Sequence, residues 1–202
     1  MKPLLCIAVL SLALFSAPMR AEVVTETPEA VTRTLYARLQ AGDMKRAAAL
    51  FDPAALREFR AMLAPLVDTV AAQPGGANAI AAAIFGGASP AQLKVLPDVD
   101  FFAAFVDASL ARGGVRLESQ QVVGVVPEGP DLRHVVTRNT ASAQGLNVTK
   151  MEVVSLRRVD GTWKVLLSGE LKGMAEVLGR QAQALRDGGN PANSTVEPPT
   201  NP

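Results

Sequence analysis

Residues 132–165 read LRHVVTRNTASAQGLNVTKMEVVSLRRVDGTWKV, and the reading of this stretch decides the fold. Residues 132–143 and 147–159 are rich in Val and Thr, as strands are, and Gln144-Gly145 separates them. Asp160-Gly161 is a two-residue hairpin signal, because the favoured tight turns need positive φ, and it leads into a further strand over 163–168. Upstream, Leu117, Ser119, Gln121, Val123 and Val125 alternate with Glu118, Gln120, Val122 and Gly124 over 117–126, the period of a strand, and a turn is expected from Pro127 to Asp131. Four strand-like segments joined by short turns predict an antiparallel meander.

Before the meander the period changes to that of helices. Thr27-Pro28-Glu29 places a capping residue, a proline and an acid where a helix begins. Val31, Leu35 and Leu39 then recur every four residues, with Tyr36 beside them, and Gly42 ends the run. Asp43 opens a second helix, and Asp52-Pro53 restarts one whose Leu56, Phe59, Leu63, Leu66 and Val70 form an apolar face. Residues 77–97 are Ala/Gly-rich and helix-prone, with Gly86-Gly87 as an interruption and Ser89-Pro90-Ala91-Gln92 as a capping box. That segment could lie over a cavity as a lid or pack as a helix, and its small residues favour packing. Another helix carries Phe101, Phe102, Phe105, Val106 and Leu110 as far as Gly113-Gly114, and Leu171, Met174, Leu178 and Leu185 predict a closing helix. The fold class expected is α+β: N-terminal helices packed on a curved antiparallel sheet meander, closed by a C-terminal helix.

The ends read differently. Met1 and Lys2 precede an apolar run over residues 4–15, the length of a signal-peptide core and shorter than the roughly 20 residues of a membrane span. Residues 1–21 are expected to be cleaved, making the protein periplasmic or secreted with no stable membrane span; an uncleaved N-terminal anchor is the alternative. Removal takes Cys6, the single cysteine, and leaves 18 basic against 19 acidic residues. Residues 22–186 form the expected domain, and residues 187–202, rich in Pro, Asn and Gly, are expected to be a disordered tail.

Two N-terminal helices joined through Ala41-Gly42-Asp43, a further helix, and a meander carrying Asp160-Gly161-Thr162-Trp163-Lys164 resemble the nuclear-transport-factor-2-like superfamily. The resemblance covers roughly residues 27–168 and implies a cone-shaped α+β domain with a ligand-holding cavity. At residues 75–97, where that superfamily usually has a short hairpin, this chain carries the helical insertion. The superfamily includes isomerases, dehydratases and carriers as well as inert partner domains, so the resemblance leaves function open.

Residue chemistry narrows the choices. One histidine and no cysteine beyond the leader leave only carboxylates as metal ligands; none clusters, so no metal site is expected, and Asp98 and Asp100 suit a helix start. No phosphate-binding or dinucleotide-binding glycine motif occurs, so no cofactor is expected. Residues 132–164 hold six basic against two acidic side chains, but strands divide them between faces and no aromatics interleave with them, so nucleic acid is not an expected partner. His134 is the weak catalytic candidate: in a cone it would act as a general base beside an acid such as Asp107 or Glu152, and otherwise it is a polar residue of the outer sheet face. Glu118 and Glu152 share their strand faces with Gln120 and Lys150, which argues against a lone buried acid. Tyr36, Phe59, Phe105 and Trp163 are the candidate pocket residues, each also suited to a core. The function expected is a non-catalytic exported domain that binds a small apolar ligand or a protein partner. Apolar residues on both alternating sets of residues 117–126 suggest a homodimer through the sheet. The alternative is a small lyase or isomerase using proton transfer in the cone cavity.

Overall fold

The computed structural model describes residues 26–72 and 77–188. The expected leader, residues 1–21, lies outside the described residues, as does the expected tail except for Asp187 and Gly188.

Thr27 accepts a hydrogen bond from Ala30 N at 3.3 Å and starts α1 (Pro28–Gln40). Gly42, at φ +72°, turns the chain into α2 (Met44–Ala48), whose first turn Asp43 caps. The chain then runs straight for one bridge: Phe51 lies parallel to Val165, with Asp52 N donating to Val165 O at 2.8 Å and Val165 N to Leu50 O at 2.9 Å. Asp52 also caps α3 (Pro53–Ala72) by accepting from Ala54 N at 2.8 Å. The Asp52-Pro53 restart is thus the point where the helical half is stitched to the sheet.

The Ala/Gly-rich segment folds as α4 (Ala77–Phe85) and α5 (Pro90–Val95), the latter opened by the complete Ser89/Gln92 capping box. It packs rather than covering a cavity: Ala81, Ile84, Phe85 and Leu93 are buried in the core. Arg60 pins its exit by pairing with Asp98 at 2.5 Å, donating to Leu93 O at 3.1 Å and to Leu96 O, and lying over the Phe101 ring. Asp98 and Asp100, at the start of α6 (Asp98–Gly113), pair with Arg60 and Lys45, and among the described residues no group of carboxylates, His or Cys could hold a metal.

The sheet follows in meander order: β1 (Val115–Glu128), β2 (Leu132–Ala143), β3 (Leu146–Val159) and β4 (Thr162–Val165), all antiparallel. Gln144-Gly145 and Asp160-Gly161 make its two-residue turns, each pair at positive φ. Three expectations differ from the structure. β1 runs on through Pro127 and Glu128, so the turn is only residues 129–131, and β4 stops at Val165 because Leu166 leaves toward α7 (Gly169–Arg186). The clean alternation of β1 also fails. Irregularities between Leu117 and Ser119 and between Val122 and Gly124 shift the register, so Val122 and Val125 point to the same, helix-covered face.

Helices cover the face of Val135, Thr137 and Leu156, all fully buried. Beneath them Phe59 sits among Phe101, Phe102 and Phe105 at centroid distances of 6.5, 5.0 and 5.0 Å, edge-on to each. α7 returns along α3 at very close range: Gly179 is buried against the Met62 carbonyl, and the Thr69 hydroxyl donates to Ala182 O at 3.1 Å. A Cβ at residue 179 would overlap that backbone oxygen, which no rotamer can relieve. Gly179→Ala is therefore expected to destabilise the fold by about 1–3 kcal/mol, read as a lower urea midpoint, whereas Gly173→Ala, where a Cβ meets nothing within 4 Å, should leave the midpoint unchanged or raise it.

Candidate functional site

A pocket of about 600 Å³ opens between α1, α6, the free side of β3 and the first residues of α7. Its walls are mostly apolar, with Leu35 and Leu39 from α1, Val106 and Leu110 from α6, and Val154 and Leu167 from the sheet side. β4 is short enough to leave this side of β3 uncovered. It pairs only with residues 156–159, and Leu166 N bonds Ser155 O at 2.8 Å before the chain departs.

One end of the pocket is polar. Glu152, on the covered face of β3, accepts at Oε2 from the Tyr36 hydroxyl at 2.6 Å and from Asn139 Nδ2, and at Oε1 from Lys150 Nζ at 2.5 Å. Asn139 is buried; its Nδ2 also donates to Tyr36 Oη at 2.5 Å and to Thr137 Oγ1 at 3.1 Å. The strand period explains the grouping: Lys150 and Glu152 point the same way, and Glu152 stands opposite Thr137 while Lys150 stands opposite Asn139. α1 brings Tyr36 across from more than a hundred residues away in sequence.

The electrostatics follow from this arrangement. Burial works to raise the Glu152 pKa, but the hydrogen bonds from Lys150, Tyr36 and Asn139 and the Lys150 charge outweigh it, holding the carboxyl below the ordinary value of 4.5. Tyr36 moves far up from 10.0, first because it is buried and then because it donates to an ionised carboxylate. Lys150 is raised chiefly by its hydrogen bond to Glu152, against a smaller opposing effect of burial. At neutral pH the cluster is thus a carboxylate, an ammonium and a neutral phenol. With three side chains donating to it, Glu152 is poorly placed to accept a further proton.

His134 lies elsewhere. It faces the outer side of the sheet opposite Ser155, with Nδ1 2.9 Å from Ser155 Oγ and Nε2 2.6 Å from Glu128 Oε2. A carboxylate only accepts, so the neutral ring carries its proton on Nε2 and takes the Ser155 hydroxyl proton bond at Nδ1. This chain of groups borders a separate groove of about 260 Å³, whose other charges pair among themselves: Arg157 with Asp52 at 3.8 Å and Lys172 with Glu58 at 2.9 Å.

The acid beside His134 is therefore Glu128, and neither Asp107 nor Glu152. Asp107 is exposed on α6. Of the four candidate pocket residues, Tyr36 lines the pocket. Phe59 and Phe105 are sealed in the aromatic core, and Trp163 is buried with the guanidinium groups of Arg133 and Arg158 5.3 and 5.9 Å from its ring. Sequence reasoning passed over Lys150 and Glu152 as a site because two charges on one strand face read as a solvated surface. The signal available was their spacing of two opposite the uncharged Thr137 and Asn139.

The chain matches no known family model, no curated protein and no solved structure. Among the described residues no helix is long and apolar enough to cross a membrane.

Two titrations test the cluster. A carboxyl held below its unfolded value stabilises the fold above about pH 4.5, and that contribution disappears as pH falls through the lower folded value. Wild type should lose stability across that acid range, and Glu152→Gln should flatten the limb while costing stability at neutral pH. Tyr36 is the chain's one tyrosine, so tyrosinate absorbance reports it alone. Its raised pKa favours the fold up to about pH 10 and opposes ionisation beyond it, so absorbance should rise only together with unfolding. A free tyrosine titration in the folded protein would contradict the cluster.

Proposed function

We propose that this is an exported, non-catalytic binding domain of the nuclear-transport-factor-2-like kind, whose main pocket holds a small and largely apolar ligand. The observation that carries the reading is the pocket itself: about 600 Å³ of space with apolar walls and one polar end, within the size range of small-molecule sites. Helices followed by a meander sheet support the family resemblance. The apolar run behind Met1 and Lys2 supports export.

The proton-transfer alternative finds less support. His134 does not line the pocket; of the two carboxylates that do, Glu152 is kept ionised by donors that a substrate would have to displace, and Glu170 is largely exposed. A lyase or isomerase here would need Glu152 or the exposed Glu170 to serve as its base without a histidine beside it.

Native mass spectrometry of protein purified gently from its own compartment is the direct test. An excess mass that disappears on denaturation is expected, and a neutral apolar fluorophore should bind the emptied protein with enhanced emission. Leu39→Trp, which fills the pocket from the half-buried C-terminal part of α1, should lower that binding by tenfold or more without changing the far-ultraviolet spectrum. A bare protein that ignores the fluorophore would end the carrier reading and turn attention to a protein partner.

The outer sheet face supports a homodimer as a companion reading. Val123, Val126, Met151 and Val153 are each at least half exposed there. Sedimentation should show a dimer that Val153→Lys separates into monomers; a monomer at high concentration would exclude it.

A further inference from the structure

We infer that the pocket takes an amphiphile with a cationic head, an alkyl- or arylammonium, and discriminates against the matching carboxylate. The inference rests on the pocket reading above and specifies its ligand class.

Among the described residues the charged groups lining the pocket are Lys150, Glu152 and Glu170. Two carboxylates stand against one ammonium. Lys150 is committed to the first, at 2.5 Å from Glu152 Oε1, and only loosely shared with the second, at 3.9 Å from Glu170 Oε2. The Tyr36 proton is already given to Glu152, so the phenol has no free donor for an incoming anion. The basic surplus of residues 132–164 is placed away from the pocket: Arg157 faces Asp52, Arg133 and Arg158 flank Trp163, and Lys164 reaches the Ala49 carbonyl. A second ammonium at the rim, next to Glu170, would bring the lining to charge balance. A carboxylate there would be the third negative group beside a single, already paired lysine. The apolar walls would take the tail in either case, so the head alone decides.

Glu170 is largely exposed at the first turn of α7, and water and salt weaken its attraction. The discrimination is therefore about tenfold, the combined size of a gained exposed ion pair and an avoided like-charge contact.

Displacement of a bound neutral fluorophore, N-phenylnaphthylamine, by decylammonium, decanol and decanoate at neutral pH and low salt tests this. Decylammonium should displace at about one-tenth the concentration needed for decanoate, with decanol between them, and added salt should narrow the gap. Glu170→Gln should narrow it several-fold while leaving decanol unchanged. The inference is overturned if decanoate competes as well as decylammonium, or if neither salt nor Glu170→Gln alters the gap. Failure of the fluorophore to bind at all would instead overturn the pocket reading beneath it.

Discussion

A carboxylate drawn partly out of water must be given donors, and in this fold Glu152 obtains them from three places. Tyr36 comes from α1, Asn139 from β2, and Lys150 from its own strand. Withdrawing any one would leave a charge under-solvated in a low-dielectric wall, which costs more than the hydrogen bond contributes when made. The cluster therefore sets where α1 crosses the sheet. It also makes one end of the pocket polar while the rest stays apolar.

The structural load is carried elsewhere, which leaves the pocket open. The phenylalanines of α3 and α6 fill the space beneath one half of the sheet edge-to-face, and the bridge between Phe51 and Val165 ties the helices to the sheet margin through main-chain bonds. β4 ends after four residues, so the free edge of β3 next to the pocket has no strand to close it. Had β4 continued to residue 168 as its composition suggests, the pocket's opening would have been occupied by sheet.

Much of the architecture was legible in the sequence because it rests on local signals. Asp160-Gly161 and Gln144-Gly145 demand positive φ, Ser89 and Gln92 form a reciprocal cap, and the apolar periods of α1, α3 and α6 are those of helices packed on one side. The irregularities in β1 were not legible. An extra residue in a strand has no marker when its neighbours Val122 and Val123 are alike, and it regrouped the valines, putting Val122 with Val125 on the covered face and leaving Val123 and Val126 exposed. The site was the least legible part. Phe59 and Phe105 satisfy the same pattern whether they line a cavity or seal a core, and only three-dimensional packing decides. Tyr36 lines the pocket, but its partners lie on β2 and β3, and no local pattern reports such a distant pairing.

Gly179 does not line the pocket, yet it belongs to the helix whose start does. The first turn of α7 forms part of the rim, and Gly179 lies ten residues further along the same helix, about 15 Å away by helical rise. Because α7 rests against the Met62 carbonyl there with no side chain between, that contact fixes how closely the helix lies against α3. A methyl group at that contact would press α7 and α3 apart without changing any residue that lines the pocket. The seating of the helix that carries part of the rim thus depends on one position having no side chain, outside the pocket itself.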